Sequence, residues 1–306
     1  MKKILLTVAL LSFLQNQAQK NEKLLDAINS DSIANLTLDQ KKIIFSGVTN
    51  FSFNQAYFEN WVSGGESSLT GLFSIDYNMN YKGNSGWVWD NNLMLSIGTT
   101  YLSGSLFFKK ADDRIEINSV LSKKVNTYWN YSAYFNFRTQ LLPGFRYFEK
   151  DKEEQKEKIS RIFSPAIIQF GLGWYYKEDK LTWVNIAPLA ARGIFVSNYY
   201  TQKLPAGKKR FGVEAGKTSI VSVGASVSGF FKSTLMDNIT MENKFNFYVN
   251  YLYKIKNIDI EWNANIRLKV NDKISSSLIV HLQYDDDLVK QLQIRELFGL
   301  GLSLDI

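Results

Sequence analysis

The last sixteen residues, Gln291 to Ile306, alternate between apolar and polar up to the final position. Leu292, Ile294, Phe298, Leu300, Leu302, Leu304 and Ile306 share one parity. Gln291, Gln293, Arg295, Gly299, Gly301, Ser303 and Asp305 share the other, and Glu296 and Leu297 exchange sides once. Successive side chains of a strand point to opposite faces, so this stretch is a long strand with one greasy and one polar side. A strand at the end of a chain leaves an open hydrogen-bonding edge unless something pairs with it. Pairing with the first strand of the same sheet, near Ile43 to Phe53, closes a barrel.

The same grammar recurs along the chain. Leu69, Gly71, Phe73, Ile75, Tyr77, Met79 and Tyr81 alternate with Thr70, Ser74, Asp76, Asn78, Asn80 and Lys82. At about 3.3 Å per residue that strand is roughly 40 Å long, far more than the usual soluble strand and enough for a tilted membrane crossing. Turn-rich residues, such as Gly83-Asn84-Ser85-Gly86 and Asn271-Asp272-Lys273, separate further alternating segments, of which Ile258 to Val270 is almost without fault. About twelve strands result, with mostly short connections alternating with mostly long ones. Two long stretches, Gln140 to Ser164 and Asn198 to Lys217, read as loops, and Pro188 blurs the parity of the strand from Leu181 to Ser197. The fold expected is all-β: a closed antiparallel up-and-down transmembrane barrel over 43–306.

Composition sets the compartment. Met1-Lys2-Lys3, an apolar core from Ile4 to Leu14 and a polar segment ending at Ala18 read as an export signal over 1–18. Residues 19–42 read as a periplasmic extension. With no cysteine, neither a disulfide nor a lipid-anchored cysteine is available. The net charge of +7 is spread over turns and loops, which argues against a nucleic-acid surface. The outer membrane is the expected site. The expected partners are its lipids and lipopolysaccharide, the barrel-assembly machinery through the C-terminal strand, and an envelope protein.

Two sets of side chains follow from the parity. The polar face places Asp76, Asp90, Arg138, Glu242, Lys244, Asp259, Glu261, Arg267, Lys269 and His281 in the lumen. Their mixed signs fit either a salt-bridged interior or a narrow hydrated pore. Aromatic residues at strand ends suggest interfacial girdles: Tyr81, Trp87, Trp129, Tyr176 and Trp183 at one rim, and Tyr101, Tyr251 and Tyr284 at the other. A soluble barrel or sandwich also alternates, with its apolar face turned inward. Strand length, aromatic rims and the export signal favour the membrane version.

Chemistry is sparse. His281 is the only histidine, so a hydrolytic triad would have to use it, and a polar histidine in a lumen is the plainer reading. Asp285-Asp286-Asp287 lacks the spaced ligands of a calcium loop and reads as solvated. Lys203, Lys208, Lys209 and Arg210 lie in a predicted outer loop, where lipopolysaccharide phosphates are the nearest anions. No catalytic, cofactor or metal residues are expected. A passive pore or solute-uptake barrel is the first functional expectation and a non-conducting structural or partner-binding barrel the second.

The run Asn54-x-x-Tyr57-Phe58-x-Asn60-Trp61-x-x-Gly64-Gly65 resembles a family of uncharacterised outer-membrane barrels of Bacteroidetes-type bacteria, a domain of unknown function. Phe211-Gly212-Val213-Glu214-x-Gly216-Lys217, Tyr284-Asp285-Asp286-Asp287 and Gln293-x-Arg295-Glu296-Leu297-x-Gly299-x-Gly301 are similar to segments of that family in the same order. The resemblance implies a fold and a compartment and brings no site residues.

Overall fold

The computed structural model describes residues 43–59, 65–83, 85–177, 181–253, 255, 258–271, 273–285 and 289–305. The export signal, the extension over 19–42, Ile306, and Asn60, Trp61 and Gly64 of the loop motif lie outside them. Twelve strands form one closed barrel. In chain order they are β1 (Ile43–Ala56), β2 (Ser68–Lys82), β3 (Trp87–Leu102), β4 (Lys109–Lys124), β5 (Trp129–Thr139), β8 (Ala166–Lys177), β9 (Thr182–Phe195), β12 (Ser219–Met236), β13 (Ile239–Asn250), β14 (Ile258–Lys269), β15 (Ile274–Asp285) and β16 (Val289–Asp305). Each pairs antiparallel with its neighbours in that order. The last strand meets the first, in register from Val48 opposite Asp305 to Phe53 opposite Leu300. Gly301 sits at this seam, where an added Cβ would lie 2.1 Å from the Phe51 carbonyl oxygen. Only glycine allows the two backbones to come that close.

Four smaller strands and one helical turn lie in the connections. Strands β6 (Gly144–Lys150) and β7 (Glu153–Ser160) pair as a hairpin between β5 and β8. Between β9 and β12 come α1 (Asn198–Thr201), β10 (Lys209–Arg210) and β11 (Val213–Glu214). Both stretches read as loops in the sequence. The hairpin escaped because Glu149 to Lys158 is almost all charged, so β7 has no apolar face for a period to reveal. The long connections share one end of the barrel, the loop end; the short ones and both barrel termini share the other, the turn end. Residues 286–288 are too short a link to fit the alternation at the loop end.

The polarity of the barrel is reversed relative to a soluble protein. Phe45, Ile294 and Phe298 are 70 %, 66 % and 60 % exposed, whereas Asn185, Asp285 and Arg192 are 1 %, 1 % and 8 % exposed. Most of the largest fully buried side chains are polar. Large apolar residues leave water wherever they can, so an exterior of this kind is built for a non-aqueous surrounding.

At the loop end an apolar cluster forms inside. Tyr200 and Val213 pack with Val196 on Ile167 of β8 and Ile194 of β9, flanked by Phe211 and Ile220. Ile167 and Ile194 lie on the inward parity, so the β9–β12 connection folds over the inner face there. Outside it, the β6–β7 hairpin leans on the β3–β4 connection. The Lys156 ammonium sits 4.1 Å from the Phe107 ring centre and 4.8 Å from that of Phe145.

Candidate functional site: a lumen crossed by ion pairs

Inward positions of opposite walls meet in the middle of the barrel. Glu261 of β14 accepts hydrogen bonds from Arg138 Nη1 of β5 at 2.6 Å on both carboxylate oxygens. It also accepts one from Arg114 Nη2 of β4 at 3.1 Å. His281 Nε2 lies 3.1 Å from the same carboxylate. Arg114 is held in turn by Glu116, whose other oxygen takes Asn118 and Asn136 amides at 3.0 and 3.1 Å. In the ring of twelve strands β14 lies diametrically opposite β4.

That contact has a geometric consequence. Twelve strands about 4.8 Å apart and tilted by about 40° make a circular barrel roughly 24 Å across at Cα. Extended arginine and glutamate side chains with bonds of about 1.5 Å, plus one hydrogen bond, span only roughly 15 Å. The cross-section is therefore flattened where Arg114, Arg138 and Glu261 meet.

Further bridges flank this one. Arg192 of β9 donates to Asp259 of β14 at 2.5 Å and to Asp285 of β15 at 2.9 Å, with its guanidinium 5.3 Å from the centre of the Tyr248 ring. Lys244 of β13 reaches Asp76 of β2 at 3.2 Å and the Met94 sulfur of β3 at 3.3 Å. Lys177 binds Asp90 at 2.6 Å, Lys232 binds Glu242 at 2.9 Å, and Arg295 of β16 pairs with Asp112 of β4. Charges drawn out of bulk water require partners, and apart from Lys232 and Glu242, which face each other on adjacent strands, these partners come from other walls.

The predicted lumen residues thus divide as follows. Asp76, Asp90, Arg138, Glu242, Lys244, Asp259, Glu261 and His281 all enter these contacts. Arg267 and Lys269 continue the inward parity of β14 toward the turn end, and both are engaged with neighbours. Missing from the sequence reading were Arg114, Glu116, Asp112, Lys177, Arg192, Lys232, Asp285 and Arg295. Arg114, Glu116 and Arg295 carried a legible signal, since each lies on the polar parity of its strand. Asp285, read as solvated, is fully buried against Arg192; Asp286 and Asp287 lie outside the described residues.

Trp183 corrects the predicted girdle. Its ring stacks on Phe230 at 6.3 Å and approaches Tyr175 at 5.7 Å, on the inward side of the wall. The register of β8 against β9 shifts between Leu172 and Trp174, placing a bulge at Pro188, which cannot donate to a ladder. The parity before the bulge is the reverse of the parity after it, so Trp183 points in. The same bulge hid Arg192. At the turn end Trp87 lies under the Lys123 ammonium, and Trp129 meets Tyr176 edge-on at 5.3 Å, with Tyr81 paired to Trp89 nearby. At the loop end Tyr101 packs on Phe108, Tyr251 donates to the Pro188 carbonyl, and Tyr284 pairs with Ile260 on the outer parity. Of the closing strand, Phe298, Leu300 and Leu304 are exposed on the outer face, and Leu302 faces Phe51 across the seam.

The outer loops hold their own polar contacts. Lys209 lies 5.8 Å from the Tyr253 ring centre, Lys203 5.6 Å from that of Tyr199, and Arg210 6.0 Å from that of Phe211. Glu154 of the β6–β7 hairpin accepts from Lys109 at 2.8 Å, from the Ser105 hydroxyl at 2.7 Å and from the Leu106 amide at 2.9 Å. These donors, Lys109 first, hold its carboxyl at about 2, below the ordinary 4.5.

The family described as "Protein of unknown function (DUF3078)" matches residues 53–145. That stretch includes the Asn54 to Gly65 motif and ends before the other three segments that carry the resemblance. No curated protein matches. Among solved structures, the translocator domain of the autotransporter NalP from Neisseria meningitidis aligns over 95% of this chain and 97% of its own, with 9% identity and a TM-score of 0.39. An outer membrane channel from Pseudomonas putida F1 aligns over 85% and 93%, with 12% identity and a TM-score of 0.35. The NanC porin aligns over 84% and 97%, with 7% identity and a TM-score of 0.32.

Proposed function

We propose that this chain is an integral outer-membrane β-barrel whose lumen is closed at rest by ion pairs tying opposite walls together. It then acts through its surface as a structural or partner-binding barrel. The membrane part of the reading is supported by the inverted polarity and the aromatic rims, because lipid tolerates backbone only in helices or closed barrels. One observation carries the closed state: Glu261 is shared between Arg114 and Arg138 from the far side of the ring. A pore wide enough for solutes keeps its walls apart and lines them with water. Here the walls share hydrogen bonds, and the β9–β12 connection adds an apolar cover at the loop end.

Planar-bilayer recording tests this directly. The wild-type protein gives no resolved conductance steps, and the double variant Arg114→Ala/Arg138→Ala gives them. Stable ohmic steps from the wild type would overturn the closed reading in favour of a passive pore.

A further inference from the structure

We infer that the seam between β1 and β16 is a lateral entry site for a fatty acid, with the acyl chain passing through the wall and the carboxylate directed at Arg295. The inference rests on the membrane reading above. The ladder between β1 and β16 stops at Phe53 opposite Leu300. Beyond it β16 continues toward the loop end as far as Val289 with β15 as its ladder partner. Among the described residues, the contact bridging this open edge is a side-chain one, Asn54 Nδ2 to the Phe298 carbonyl at 3.5 Å. Backbone without a ladder partner among the described residues is costly within a bilayer, so a break in the ladder at this place calls for a purpose.

What lies behind the end of the ladder is apolar, unlike the charged middle of the lumen. A cleft there is lined by Phe53 and Phe298 from the outer face and by Leu72, Ile279 and Leu297 from the inner face. Those three are apolar residues on parities that elsewhere carry charge. The exchange of Glu296 and Leu297 in the alternation falls at this point, turning a carboxylate outward and an apolar side chain inward just past the end of the ladder. Ile279 pairs with Leu297, and the next inward pair toward the loop end is His281 with Arg295. Arg295 holds Asp112 through Nη1, while its Nε is buried with no hydrogen-bond partner among the described residues. An apolar slot open to lipid, with a guanidinium donor one layer away, matches the chemistry of a fatty acid: a greasy chain with an anionic end.

Because the chain has no cysteine, a single thiol can be placed at will. Ser277→Cys, lining the cleft, and Ser228→Cys, inward on β12, are each labelled with bimane in lipid nanodiscs, and stearic acid bearing a nitroxide near its tail is added. Quenching at position 277 should exceed that at 228 and should vanish when Leu297→Trp fills the cleft or Ile279→Asn makes it polar. Heat-modifiable gel mobility verifies folding of each variant. Arg295→Gln should weaken the acid about tenfold, the loss of one charge-assisted hydrogen bond, and leave its methyl ester unchanged. Equal quenching at both positions, or quenching that survives a folded cleft variant, overturns the entry site. Equal potency of acid and ester, or of a nitroxide phospholipid, overturns the fatty acid as its ligand. Failure of the protein to float with lipid vesicles counts against the membrane reading instead, so the two failures are separable.

Discussion

Arg114 and Glu261 stand on strands half a circumference apart, and their side chains are 3.1 Å from each other. Such a bond is both a brace and a liability. An ion pair removed from water is at best modestly stabilising, but taking away one partner strands the other.

Glu261→Ala removes the carboxylate that Arg138, Arg114 and His281 all face. The loss is expected to be roughly 3–5 kcal/mol, as for breaking a buried pair, read as a lower urea midpoint for loss of the folded gel form. Ala at Arg146, whose exposed pair with Glu157 is long at 3.8 Å, should change that midpoint by less than about 1 kcal/mol.

Arg192→Lys keeps the charge and loses the geometry. One ammonium cannot serve Asp259 and Asp285 as a guanidinium fork does, nor lie flat over Tyr248. A loss of roughly 2 kcal/mol is expected, by the same urea assay. Stability equal to wild type would mean that the fork is not needed.

Acid should release the β6–β7 hairpin. Because the folded Glu154 carboxyl titrates at about 2 and the free one near 4.5, its contribution is full above 4.5, declines below that and is gone once the pH falls through about 2. Pepsin cleavage within 144–160 should therefore rise as pH drops from 4 to 2. In Glu154→Gln it should already be fast at pH 4. Salt should weaken the effect, since the site is partly exposed.

Brominated lipids distinguish the two classes of tryptophan. In single-tryptophan variants, Trp87 and Trp129 should be quenched and Trp183 spared, since it lies against Phe230 and Tyr175. Quenching of Trp183 equal to that of Trp87 would place its ring outside the wall.

Gly301→Ala tests the seam. Its methyl group would sit on the Phe51 carbonyl, an overlap that backbone shifts must absorb at about 2 kcal/mol or more. A folded fraction no smaller than that of wild type would show that the seam is looser than this geometry.

The barrel itself was written plainly in the sequence. Strands such as β2 and β14 alternate over a dozen residues, and the run to Ile306 announced the closing strand. The partners inside were not legible. Parity placed Glu261 in the lumen, yet nothing local says that it meets Arg114 and Arg138, because ring closure alone brings such distant positions together. Trp183 was misread and Arg192 missed for a different reason: one bulge at Pro188 inverts the parity on which the whole reading depends. Val213 and Tyr200, buried in the β9–β12 connection, sit among lysines and glycines with no period to mark them.

The pairing of Arg114 with Glu261, Asp112 with Arg295 and Asp76 with Lys244 always joins an early strand to a late one. A partly inserted chain would face the bilayer interior with half of each couple missing. Such intermediates are penalised electrostatically, and the late strands β13, β14 and β16 neutralise charges that β2 and β4 carry.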